Sequence, residues 1–352
     1  TNKIYLNPAL TGHDGGTSFS SNYRNQWFFI AGNMAQFTTN SFALDVEMPC
    51  VQSSMGLLYL DNQEGEGYLR WQSLGLSWAW RPKESRYRNS EVWDFSLGLK
   101  GSYNWRSLDW NNLVFSDQLD AIRGNIGPSA IPNQPANGMS FSRAFDLDFG
   151  ATFSYKSKLG QSRVGLTVNH LIHVDQSILE LEDTLARRYT IDLSHTINVN
   201  NVARKYYIVP MFKMDVQRSS FGVRDSNRFL NGVFNGESRR KGIHYLSFQM
   251  GTIFSLQDSP GLWGGVWLRS RVFDDFSFNT SSLVTSIGVA FKDRSRSDNS
   301  YRFGLSYDFD FFGIRSEGGG AVEASLVINF RDATLFNCNT GRRRSMINPC
   351  PF

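Results

Sequence analysis

Five histidines, His13, His170, His173, His195 and His244, are the imidazoles that a Ser/His/Asp triad or an Asp/His hydrolytic pair could recruit. His170 and His195 fall in the phase of their segments that carries the apolar side chains, where a general base has no business. His173 and Asp175 share a face near one rim, where ordinary polarity outnumbers catalytic dyads. The chain is therefore expected not to be an enzyme. Metal and phosphate chemistry have no better footing. Cys338 and Cys350 stand 12 positions apart with no neighbouring histidine, unlike zinc ligands. Gly318, Gly319 and Gly320 join two strand-like segments rather than a strand and a helix, so they read as a turn and not a phosphate cradle. No catalytic, cofactor or metal site is predicted.

The elements that carry these residues are strands. Hydrophobic residues make up 41% of the 352, charged residues 19% and aromatics 14%; so many aromatics exclude a disordered chain, and the composition excludes a coiled coil. No apolar run reaches the ~18 residues of a membrane helix, whereas a membrane barrel, whose strands alternate, remains open. Period-two alternation dominates. In Phe145, Leu147, Phe149, Ala151, Phe153 and Tyr155 one face is apolar, and Asp146, Asp148, Gly150, Thr152 and Ser154 face the other way. Tyr301, Phe303, Leu305, Tyr307, Phe309 and Phe311 likewise oppose Arg302, Gly304, Ser306, Asp308 and Asp310. Strands are predicted near 17–27, 36–48, 53–61, 67–81, 92–104, 144–156, 161–173, 188–199, 203–217, 242–255, 262–273, 279–292, 299–311 and 321–331. That even number matches the ~9–11-residue tilted strands of an outer-membrane barrel. Pro210 interrupts the ninth and implies a bulge or a misplaced boundary.

The connections sort by parity. Those after even strands are short (49–52, 81–91, 157–160, 200–202, 257–261, 293–298), and those after odd strands include the longest, 106–143, 174–187 and 218–241. A soluble sandwich has no reason to sort its loops; an outer-membrane barrel does. The expected fold is thus an all-β, transmembrane antiparallel β-barrel of about 14 strands over residues 1–331, with both termini periplasmic and a periplasmic tail over 332–352. Asp94, Lys100, Asp146, Asp148, Asp192, Lys213, Asp215, Arg302, Asp308, Asp310 and Glu323 are expected to line a polar lumen of mixed sign. Whether that lumen is open, plugged by 106–143 or filled by a client peptide is left undecided. In the tail, Cys338 and Cys350 bracket Arg342, Arg343 and Arg344. A Cys338–Cys350 bridge is favoured, worth about 3 kcal/mol by chain entropy, with Cys50 as the alternative partner of either. The three arginines suit docking to a periplasmic subunit, or equally a solvated tail near acidic headgroups. A net charge of +4 spread along the chain gives no nucleic-acid site.

Asn7-Pro8-Ala9-Leu10-Thr11-Gly12, followed by Tyr23-Arg24-Asn25-Gln26-Trp27, resembles the opening signature of the PorP/SprF family of type IX secretion membrane proteins of Bacteroidota. Phe115-Ser116-Asp117-Gln118, Trp263 to Arg269 (WGGVWLR), Ser306-Tyr307-Asp308, Glu323 to Phe330 (EASLVINF) and the closing Cys350-Pro351-Phe352 extend the likeness along nearly the whole chain. The resemblance implies an integral outer-membrane barrel of the secretion or gliding machinery. It would bind and anchor a secreted client, such as a surface adhesin held by its C-terminal sorting domain, or link to the periplasmic ring. The rival expectation is a passive porin or hydrophobic-solute transporter.

Overall fold

In a computed structural model, the alternating segments pair into one closed sheet. The structure describes residues 2–27, 37–65, 69–82, 85–87, 91–113, 115, 118–120, 122, 124–125, 138–157, 160–172, 174–175, 178, 184–200, 205–218, 244–256, 261–272, 278–292, 299–310 and 319–335. The wall consists of β1 (Thr17–Gln26), β2 (Phe37–Met48), β3 (Ser53–Glu64), β4 (Leu69–Trp80), β5 (Glu91–Asp109), β6 (Met139–Lys156), β7 (Gly160–Asn169), β8 (Arg188–Asn200), β9 (Lys205–Arg218), β10 (His244–Leu256), β11 (Gly261–Val272), β12 (Phe278–Lys292), β13 (Ser300–Asp310) and β14 (Ala321–Phe330). Each strand pairs antiparallel with its neighbours in sequence. The first and last then meet in register, from Thr17↔Phe330 to Gln26↔Ala321, which closes a fourteen-stranded barrel and leaves no free edge.

The period of two decides which side chains go where. Outward positions carry the large apolar residues, and Leu76, Phe145 and Ile287 are each 69% exposed. None of the described residues covers this belt, as expected of a surface that lipid covers. Inward positions carry the buried polar ones, among them Asp45, Ser77, Ser96, Asp148, Thr152 and Asp308. Among the described residues, the one cluster of buried apolar side chains is small: Ile4, Ala43 and Leu58, with Tyr5 against it.

Two strands run longer than the alternation suggests. β5 and β6 continue their pairing as far as Asp109↔Met139. Polar residues fall on both faces there, so the two-phase signal fades while the backbone ladder goes on. Pro210 produces neither a bulge nor a boundary. β9 keeps one register against β8 on both sides of it, from Ser194↔Met211 to Ile197↔Ile208, with the rungs between them unpaired, as a residue without an N–H requires. On its other side Pro210 stays opposite Thr252. The irregularity of the sheet lies elsewhere, between Arg269 and Ser270 on β11. Because successive strands alternate in direction, the strand ends that flank the even-strand connections lie at one end of the barrel with Thr17 and Phe330, and those that flank the connections 110–138, 170–187 and 219–243 lie at the other.

A candidate functional site in the barrel lumen

Residues 2–16 precede β1 and fold inside the barrel. Asn2 caps a single helical turn, α1 (Lys3–Leu6), by accepting from the Ile4 N–H at 3.1 Å. Asn7 caps the next turn, a 3-10 helix over Pro8–Leu10, through the Ala9 N–H at 3.0 Å. The same amide donates to the backbone oxygens of Ala151 on β6 and Leu166 on β7, both at 3.3 Å, so one side chain shapes the segment and ties it to two strands. Thr11 Oγ1 donates to the Pro8 carbonyl and lies 2.6 Å from Ser77 Oγ on β4. Ser96 on β5 donates to the Ala9 carbonyl, and Thr167 on β7 to that of Leu6. Gly12 has φ +68° and its N–H meets Asp45 Oδ2 at 2.7 Å; a side chain there would be strained and would strike Ser54. The wall makes room in turn. A Cβ on Gly98 would overlap the Pro8–Ala9 backbone, and one on Gly150 the Asn7 amide.

The segment is latched by charge. Lys3 Nζ lies 2.9 Å from both Asp14 Oδ2 and Asp45 Oδ2, all three buried, and Arg302 on β13 approaches Asp14 at 3.7 Å. Burial alone would raise the Asp14 carboxyl, but Lys3 and Arg302 hold it far below the ordinary carboxylate range. Burial works against the Lys3 ammonium, yet Asp14 and Asp45 raise it. His13, buried beside Arg81, is pushed by desolvation and by that guanidinium well below the usual imidazole value and stays neutral. Buried charges are tolerable only with such mutual pairing. At the far tip, Tyr5 packs beneath the Lys100 ammonium and the Arg188 guanidinium, 5.8 and 5.7 Å from its ring centre.

A second cluster joins motif residues far apart in sequence. Arg24 NH2 reaches Asp308 Oδ2 at 2.6 Å and its NH1 reaches Glu323 at 3.5 Å; Arg269 NH1 meets the same Asp308 oxygen at 2.9 Å, and Asn22 donates to Glu323. Gln26 shares the inward phase of Arg24, while Tyr23 faces out and is exposed. Trp27, one residue past β1, has φ +60° and its indole N–H donates to Asp310. Trp263 and Trp267 point inward as well, because their strand partners Ser255 and Gly251 lie in the inward phase of β10. Resembling stretches along the sequence thus converge on the lumen, and Asn7 to Gly12 fill part of it. The sequence does not reveal this filling. Its trace is the run of small inward residues, Gly56, Ser77, Ser96, Gly98 and Gly150, which makes sense only once something lies against them.

Other expected residues divide. His195 is exposed on the outer face, as its phase requires, and bonds Ser162. His170 does not face out. One residue past β7 the backbone turns left-handed (φ +59°), at a cost of about 1–2 kcal/mol for a non-glycine, and swings the imidazole inward. Its Nδ1 lies 2.7 Å from Asp146 Oδ2 and its N–H 3.1 Å from Asp148 Oδ1. Phase counting fails because the strand ends at the residue being counted. Asp148 also pairs with Lys100 at 2.6 Å. One donor atom from each of Asp146, Asp148 and His170 lies within 4.8 Å of the others.

Cys50, in the Pro49–Val51 turn, is disulfide-bonded. With three cysteines in the chain, this corrects the favoured Cys338–Cys350 pairing and engages the alternative partner. Cys338, Cys350, Arg342, Arg343, Arg344, His173, Ser116 and Asp117 lie outside the described residues. The tail, as far as residue 335, runs along the rim beside β1 and β2: Thr17 donates to the Ala333 carbonyl and the Leu335 N–H to Glu47 O.

Comparison with known proteins places the chain. A family described as "Type IX secretion system membrane protein PorP/SprF" matches residues 1–328. No curated protein matches. Among solved structures, a FadL homologue of Pseudomonas aeruginosa shares 11% identity over 89% of this chain and 88% of its own, with a TM-score of 0.42. The toluene transporter TodX of Pseudomonas putida shares 10% over 93% and 92%, also at 0.42. A porin shares 6% over 89% and 98%, at 0.33.

Proposed function

The chain belongs to the PorP/SprF family of type IX secretion system membrane proteins, outer-membrane β-barrels that work with components of that system, and we propose that this one docks and anchors a secreted client. The observation that carries the reading is the N-terminal segment seated in the lumen. A pore is made by leaving the interior of a wide barrel to water; here residues 2–16 occupy it with buried ion pairs and capped turns. Function then falls to the ends. The end carrying 110–138, 170–187 and 219–243 faces outward and engages the client, such as an adhesin held by its C-terminal sorting domain. The end with short turns and both termini faces the periplasm, where the tail and its Arg342, Arg343 and Arg344 meet ring subunits. The chemistry is binding, without catalysis.

Planar-bilayer recording on the purified barrel, together with affinity purification from native membranes, tests the reading. Docking predicts little steady current and co-purification of a large secreted protein. That association should be lost on shortening 219–243 and kept on deleting 332–352, a deletion that should instead release periplasmic partners. Large steady currents from the intact chain, with no secreted protein recovered, would favour the passive porin or hydrophobic-solute transporter.

A further inference from the structure

Among the described residues, Asp146, Asp148 and His170 form the one group with donor atoms close enough to share a cation, and we propose that they bind a divalent first-row metal ion of the Zn2+ type. Three observations converge. First, both carboxylates are buried on the inward face of β6, two residues apart. Second, Asp146 Oδ1 is buried and has no hydrogen-bonding partner among the described residues, an arrangement that folded proteins avoid unless another group satisfies the oxygen. Third, His170 reaches the pair through a left-handed backbone turn whose own N–H is held by Asp148.

Distance and charge fit an ion. Tetrahedral ligands of zinc at ~2.0–2.2 Å lie ~3.3–3.6 Å apart, so donor atoms within 4.8 Å of one another come into range once the widest pair closes by up to ~1.5 Å, a shift that carboxylate rotation can supply. The Asp146 and His170 atoms, now 2.7 Å apart, separate slightly as the proton between them leaves. Asp148 is met by the Lys100 ammonium at 2.6 Å and also feels the Arg188 guanidinium. Asp146 has the His170 imidazole beside it, and its Oδ1 is the buried oxygen that a metal ion would satisfy. Imidazole with carboxylates selects Zn2+ or its neighbours over Mg2+ and Ca2+, which prefer all-oxygen shells. Such an ion would pin the root of the 170–187 connection to β6 beside Tyr5, at the tip of the N-terminal segment. The site stands independently of the docking proposal.

The probe is Co2+, followed by its visible absorption, and Zn2+ as competitor, on the full-length barrel in detergent after treatment with chelator. The expected result is one saturable equivalent, displaced by Zn2+ and not by Mg2+ or Ca2+. Affinity should fall at least about tenfold in Asp146→Asn and in His170→Gln, the latter keeping a hydrogen-bond donor for Asp146 so that folding survives. Lys100→Gln, which frees the second oxygen of Asp148 and removes a repelling charge, should bind more tightly. Absence of a saturable equivalent in the wild type, or equal uptake by the wild type and both ligand variants, would overturn the proposal in favour of a plain imidazolium–carboxylate pair. Neither result depends on whether a client co-purifies.

Discussion

The wall from β2 to β7 and the wall from β9 to β13 obey the same alternation yet present opposite inner surfaces. The first is small and recessed: Gly56, Ser77, Ser96, Gly98 and Gly150 face residues 4–11, which lie against them in hydrogen-bonded contact. The second, away from those contacts, carries Trp263, Trp267 and Arg269 inward. The difference teaches that period two fixes the side of the sheet and says nothing about what stands on that side. Side-chain size does. Small inward residues mark where something must lie close against the wall, the Pro8–Ala9 backbone at Gly98 and the Trp263 and Trp267 indoles at Gly251, Gly288 and Gly304, and large ones mark where the barrel fills its own interior.

The latch offers the strongest way to break the contrast. Lys3→Met leaves Asp14 and Asp45 buried around an apolar group, and losing one partner of a buried ion cluster costs about 3–5 kcal/mol. The N-terminal segment should leave the first wall, seen as lost hydrogen-exchange protection of residues 2–16 and a rise in bilayer conductance; unchanged protection would mean that packing alone holds it.

Phe149→Arg and Phe303→Arg, on the outer faces of β6 and β13, each introduce a charge into the lipid belt and should cost about 2–4 kcal/mol near the midplane. Similar losses of refolding stability in lipid vesicles are expected, because the outer faces of the two walls are alike.

Gly98→Val should cost about 1–3 kcal/mol by overpacking, with the loss confined to the N-terminal segment. On the opposite wall, Trp267→Ala leaves residues 2–16 protected, and comparing the pair by exchange sharpens the division. Arg24→Ala is gentler, about 1–2 kcal/mol, since Arg269 still meets Asp308.

The smallest effect is with pH. Asp14 is depressed, so its contribution is complete above its ordinary 3.8 and fades only as pH falls through the lower folded value. Lys3 is raised, so its contribution is complete below 10.5 and fades only as pH rises beyond it. Occupancy of the lumen by residues 2–16 should therefore stay flat from about pH 7 to 9 and weaken as pH falls below about 6.5, where a released His13 takes up a proton that its buried site refuses; a midpoint above pH 7 would implicate a different group.

Legibility follows the same physics. Fourteen strands, their phase, the sorting of loops and the polar lining can be read from the chain, because each depends on residues adjacent along a strand. Asp94, Asp148 and Asp308 point inward as their phase requires. His170 escapes that reading because a single left-handed residue reverses a side chain without altering the composition around it. The N-terminal segment escapes it because fifteen residues with no period carry no sign of which surface they meet. The bridge of Cys50 escapes it because loop length favours local pairing, whereas the rim brings the tail back beneath β2.

By itself, then, the sequence determined a closed, lipid-facing β-wall with charges inside, since a two-residue period in a chain with no free edge admits one solution. Only the tertiary structure decided what the wall encloses. Asn7 to Gly12, Arg24, Arg269 and Asp308 are scattered in sequence, and they acquire partners when β1 meets β14 and the curvature of the sheet brings opposite strands within reach of one buried chain.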